Sequence, residues 1–349
     1  MKNPYKFLLI LSLSLVYLVI AAGSIVRMTG SGMGCPDWPK CFGYLIPPTE
    51  KSQLEWKPLN SYKKGQIIIV DQTLKVASFD FVSGDYFKNK NWRPYTKHDY
   101  AVFNATHTWV EFINRLLGVI AGLSTLALFI VSLGKIKKDT LVTLISFLII
   151  VGMGFQAWLG KTVVDSNLLP FKITIHMGMA FIIVFLLIIL LYRENKPQKI
   201  ISYNITLKFL VVLGTVLTIL QIGMGTQVRQ YVDEQIHDWG LNNPLKWLIE
   251  APIIFYIHRS FSLLVLTTNG LIALMLYRIK HFPIEFLGIL FFIMLEIVTG
   301  ILMYYFDFPF SSQPIHLLVA SLLFGAQSYF MIRIFKNDLQ NSSYFRRRR

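Results

Sequence analysis

A chain of 349 residues that is 54% hydrophobic and only 15% charged, with a mean hydropathy of +0.52, lies outside the range of soluble globular proteins. Its formal charge of +15 invites a nucleic-acid reading. Much of that charge flanks long apolar runs, however, so a lipid bilayer is the expected partner and no nucleic acid is implied.

In chain order, the apolar runs cover residues 7–25, 106–133, 141–160, 173–192, 205–225, 253–277, 284–306 and 315–335. A bilayer crossing needs about 20 such residues, which makes all eight candidate spans. Lys2 and Lys6 precede the first run, as in a signal peptide. Its length, and Arg27 after it with no small-residue cleavage site, favour a retained helix. The GSGMG run at 30–34 lacks the GK[ST] ending of a phosphate loop. Cys35 and Cys41 follow in CPDWPKC. A small-loop disulfide is expected there, metal binding is the weaker reading, and a redox-active pair stays open.

Basic residues mark alternate loops: Lys135, Lys137 and Lys138; Arg193, Lys196 and Lys199; Arg278 and Lys280; then Arg333, Lys336 and the arginines at 346–349. The positive-inside rule places both termini in the cytoplasm of a multi-pass cell (inner) membrane protein. The segment at 27–105 is a long, lysine-rich outer loop, and long loops translocate largely regardless of charge.

The chain also repeats itself. GSIVR at 23–27 matches GTQVR at 225–229, and FINR in the second run matches YIHR in the sixth. Gln156 and Gly160 match Glu296 and Gly300, and His176 matches His316, all offset by 140 residues. The expected fold is an all-α polytopic membrane protein, with eight transmembrane helices as two pseudo-symmetric four-helix bundles at 1–195 and 196–349. Both halves start on the same side, so the repeat is parallel.

Depth along the helices brings the polar residues together. His176, His258 and His316 fall within about two turns of the outer ends of their helices, with Asn114 slightly deeper. Histidines from facing helices at one level suit bis-imidazole haem ligation, against the blander reading of hydrogen-bonded packing residues. Arg259 has two readings: a partner for a haem propionate or a side chain snorkelling to the interface. His98, His237 and His281 fall in loops, where solvation is expected.

RMTGSGMGCPDWPKCFG at 27–43, Glu111-x-x-Asn114-Arg115, His176, His258-Arg259 and His316 resemble the haem A synthase family over all eight helices. The resemblance implies oxidation of the C8 methyl group of haem O to a formyl group through an alcohol, in haem A biosynthesis. It implies haem b as cofactor between His258 and His316, relaying electrons. The first bundle then takes haem O as substrate, with His176 on the substrate iron and Glu111 as the catalytic group, either handling protons or stabilising developing positive charge. Asn114 and Arg115 also fall in this substrate half. Asn114 departs from the family frame, in which a histidine is found, and leaves His176 as the sole ligand with an open iron position. His107, seven residues earlier and about 10 Å nearer the outside, is a candidate replacement. A cysteine pair found in some members between spans five and six is absent. Haem O synthase and terminal oxidase assembly factors are candidate partners, and a homo-oligomer is an open arrangement. The rival readings are a membrane b-type cytochrome and a haem carrier or oxidase assembly factor without turnover.

Overall fold

Asn3, Asn104 and Asn204 each turn a side-chain oxygen onto the backbone N–H three residues on, starting three of the membrane helices. A computed structural model describes residues 3–96, 102–166, 168–195, 203–309 and 311–346, with side chains throughout except at Pro170 and 336–346. His98, Lys196, Lys199 and the arginines at 347–349 lie outside the described residues.

The described residues include eight helices long and apolar enough to cross a membrane: α1 (Pro4–Met28), α2 (Ala105–Leu133), α3 (Thr140–Asp165), α4 (Pro170–Glu194), α5 (Ile205–Trp239), α6 (Ile253–Arg278), α7 (Ile284–Tyr305) and α8 (Ser312–Arg346). All eight predicted runs are helical, and the protein is an α-helical multi-pass membrane protein. The largest difference is α5, which continues to Trp239 instead of stopping at residue 225. Its polar extension runs on for about 20 Å.

Packing closes two rings. α1 and α3 each pack on both α2 and α4, so α2 and α4 face each other across a diagonal. α5 and α7 pack in the same way on α6 and α8, which form the diagonal of the second ring. The rings meet where α8 lies against α1 and α4. Phe181 and Phe324 touch edge to face there, with centroids 5.2 Å apart, and Gly325 leaves the notch that holds the Tyr17 ring.

The segment between α1 and α2 folds as a small β layer that the apolar periodicity did not forecast. β1 (Ser61–Tyr62) pairs with β4 (Phe81–Val82), and β2 (Ile67–Val70), β3 (Thr73–Ala77) and β5 (Trp92–Pro94) form an antiparallel sheet in the order β2-β3-β5. Successive residues of a strand point to opposite faces. Ile67 accordingly packs with Cys35, Cys41, Phe42, Leu54, Leu74 and Val76, whereas Ile68 packs with Tyr62, Ala77 and Trp92. Asp71 and Gln72 both take positive φ in the two-residue turn joining β2 to β3. Such turns match the twist of a hairpin.

Candidate functional site

The end of the first ring that carries the β layer is a wall clamped on one loop. Cys35 and Cys41 form a disulfide, buried in the core of the β layer. The Cys35 N–H donates to Glu111 Oε2 at 2.8 Å, and Thr108 Oγ1 donates to the Gly34 carbonyl at 2.8 Å. Arg115 pairs with Glu111 one turn earlier. Its guanidinium also donates to the carbonyls of Asp37 (2.7 Å), Lys40 (3.0 Å) and Cys35 (3.3 Å). A Cβ on Gly34 would lie 2.5 Å from the carbonyl group of His107, so only glycine lets the loop press this closely on α2. Glu111 is 4% exposed beneath it. Within the loop, Asp37 accepts from the Gly43 N–H at 2.9 Å, and burial pushes its carboxyl above the usual range.

Below this wall, four equivalent positions lie on the helix pairs α1–α2, α3–α4, α5–α6 and α7–α8. Each polar residue rests over a glycine of the partner helix. A Cβ on Gly160 would meet His176 Cε1 at 3.5 Å, one on Gly225 would meet His258 Cε1 at 3.1 Å, and one on Gly300 would meet His316 Cε1 at 4.0 Å. In the first pair, a Cβ on Gly23 would meet Asn114 Oδ1 at 3.9 Å. Small residues here let an imidazole lie flat between two helices.

The two histidines of the second ring are also oriented. His258 Nδ1 lies 3.2 Å from the Gln221 backbone carbonyl, which can only accept, so Nδ1 carries the proton and Nε2 keeps its lone pair. His316 Nδ1 lies 2.7 Å from Thr299 Oγ1 and 3.1 Å from Glu296 Oε2. Thr299 Oγ1 donates its proton to the Leu295 carbonyl at 2.8 Å, so it accepts from the ring and again leaves Nε2 for a metal. His258 on α6 and His316 on α8 therefore lie on the two diagonal helices of the second ring, each with an Nε2 left over, a donor set that fits haem iron. In the first ring His176 Nδ1 is buried with no hydrogen-bond partner, and Gln156 Nε2 reaches only the His176 backbone carbonyl, at 3.0 Å.

A family model described as COX15-CtaA, cytochrome oxidase assembly protein, matches residues 6–83 and 87–328. The chain belongs to this family. Among curated members of similar length, it is 26% identical over 349 residues to the heme A synthase of Rickettsia prowazekii, an alignment covering 90% of this chain and 93% of that one. It is 25% identical over 375 residues to the heme A synthase of Flavobacterium johnsoniae, covering 96% and 100%. The heme A synthase of Ehrlichia canis is 26% identical, covering 90% and 89%.

Within this COX15-CtaA member, the predicted site residues separate into two groups. His176, His258, His316 and Asn114 occupy the four glycine-backed positions. Glu111 and Arg115 instead hold the disulfide loop. His107 is half-buried at the helix mouth, where its backbone packs on Gly34. Arg259 is exposed, its guanidinium carbon 5.6 Å from the Tyr256 ring centre and 5.5 Å from that of Tyr304, where cation–π attraction holds it. Gln221 was not singled out from the sequence, yet it engages His258 twice, its Nε2 donating to the His258 carbonyl at 2.9 Å. The signal was present: Gln221 precedes Gly225 by four residues, as Gln156 precedes Gly160 and Glu296 precedes Gly300.

Proposed function

We propose that this chain is a haem A synthase that oxidises the C8 methyl group of haem O to a formyl group by way of the alcohol. The observation that carries the reading is the pairing of His258 and His316, oriented through their Nδ1 atoms on the diagonal of the second ring. Membership of the family and the printed names of its relatives support it.

On this reading His258 and His316 hold haem b, which supplies one-electron transfer. His176 holds the iron of the substrate haem O in the first ring, with Asn114 across the diagonal from it. Fixed tautomers suit a resident group, whereas the unpartnered Nδ1 of His176 suits a haem that enters and leaves. Glu111, one turn outward of Asn114 on the same face of α2, is the acid–base group of this half. Arg115 keeps the Glu111 carboxylate and the disulfide loop together as the outer wall. His107 guards the mouth, and Arg259 with Tyr256 and Tyr304 borders the cofactor half.

Both termini lie in the cytoplasm in this reading. Lys135, Lys137, Lys138, Arg193 and Arg278 flank the inner helix ends, while the disulfide lies at the opposite ends, in an oxidising compartment. The test is expression in a host that makes haem O but no haem A, followed by extraction and mass analysis of the haems. A new species with the mass of haem A or its alcohol is expected. Haem B and haem O alone, on folded and haem-loaded protein, would refute the activity.

A further inference from the structure

The four glycine-backed positions differ in a way that separates the first from the other three. In the last three pairs, the residue four before the glycine is Gln156, Gln221 or Glu296, and each reaches the histidine of the partner helix. In the first pair that residue is Val19, and the histidine is replaced by Asn114. Ligand and supporting side chain are both missing from one pair, while the glycine seat remains. The position is built for something other than a protein ligand to iron.

The side chain present has its own demand. Asn114 Oδ1 is buried with no hydrogen-bond partner, an arrangement that is unfavourable unless a guest satisfies it. A carboxamide offers two donors and an acceptor, which suits a small polar molecule of either sense. The same stripe of α2 continues inward through Gly118 and Gly122, beside which nothing lies within 4 Å. The second half carries Ser262 and Leu266 at the matching places, 144 residues on. Room and an unpaired polar group therefore coincide on α2, the helix diagonal to the α4 that carries His176.

We propose that Asn114 marks a binding site for a neutral molecule of diatomic or water size, seated at the iron of the haem held by His176 and hydrogen-bonded by the Asn114 carboxamide. This rests on the reading that His176 ligates a haem. Ligation by imidazole on both faces closes an iron to outside ligands, as His258 and His316 would do in the second ring. Ligation by His176 alone leaves one face open, and Asn114 then governs what occupies it.

Carbon monoxide is the probe, added to the reduced, haem-loaded full chain. The expected result is a carbon monoxide shift in the part of the spectrum that His176→Ala removes, with the part that His258→Ala removes unshifted. Val19→Gln with Asn114→His should abolish the shift while haem content stays unchanged. Asn114→Leu should keep the shift but raise the C–O stretching frequency, because a donor to the bound molecule is lost. Haem loss in His176→Ala without any shift in the wild type would overturn the inference and leave the ligand reading intact. No haem loss in His176→Ala would overturn both. An unchanged stretching frequency in Asn114→Leu would remove the carboxamide from the site.

Discussion

A glycine beneath each imidazole is the smallest device in the molecule. The tightest is Gly225, where even a Cβ would come within 3.1 Å of His258. Gly225→Val places a branched side chain there, and the ring must leave its position between α5 and α6. The expected outcome is loss of most haem from the second ring with the chain still folded, read by haem content and circular dichroism. Gly160→Ala meets His176 at an ordinary contact distance of 3.5 Å, so its haem content should stay near wild type. Glu111 allows a sharper distinction. Gln at this position keeps an oxygen for the Cys35 N–H but loses the charge and the proton. Glu111→Gln should therefore retain haem and disulfide while activity falls by about 10²-fold or more. Glu111→Ala leaves the half-buried Arg115 without its carboxylate and the Cys35 N–H without its acceptor, and should destabilise the fold by about 1–3 kcal/mol. Retention of full activity in Glu111→Gln would confine this residue to holding the loop. The repeat sets the histidines and Asn114 in one frame, and all four rest over a glycine of the partner helix. The spacing of Gln221 from Gly225 was also there to be read, but what the glycines and Gln221 touch was not, because that depends on which helix packs against which.

Between residue and molecule, the disulfide loop and its β layer act as one element. Its existence was legible only as length and lysine content. Strands of two to five residues carry little periodicity, and the turn at Asp71–Gln72 lacks the Asn-Gly or Gly signal of most tight hairpins. The GSGMG run carried no assigned role in the sequence. Its purpose at Gly34, close approach to His107, appears only once α2 is placed beside it. Asp37 gives this element a pH response. Burial raises its carboxyl pKa, so the native loop binds a proton more tightly than the unfolded chain does. Its contribution to stability is full below the ordinary carboxylate pKa and is lost as pH rises through the raised native value. Asp37→Asn keeps an acceptor for the Gly43 N–H and removes the titration. The stability of wild type relative to Asp37→Asn should therefore increase on acidification from neutral pH. Parallel unfolding midpoints for the two proteins across that range would show that the carboxyl is not buried in the native state.

For the whole molecule, the question is what joins two halves that the repeat makes so alike. At the end that carries the β layer, Asp233 on the extension of α5 pairs with both Arg27 and Arg229, the matched arginines of the GSIVR and GTQVR segments. Arg229 also donates to the Arg27 carbonyl at 3.0 Å. One carboxylate thus neutralises an arginine from each half, and it lies in the part of α5 that the apolar pattern did not forecast. Within the membrane the join is steric: Tyr17 fills the notch at Gly325, beside the Phe181–Phe324 and Tyr192–Tyr329 contacts of α4 with α8. A leucine at Gly325 has no room beside the Tyr17 ring, so the faces must separate. Gly325→Leu should make the two haem spectra decay at different temperatures, where wild type loses both in one transition. Asp233→Asn acts on the other fastening. It leaves two arginines adjacent without their shared carboxylate, and should lower stability by about 2–3 kcal/mol while haem stays in each ring. If the steric join couples the halves, Asp233→Asn keeps a single transition at a lower midpoint. Two separated transitions in Asp233→Asn, with one retained in Gly325→Leu, would instead place the coupling at the Asp233 charge cluster.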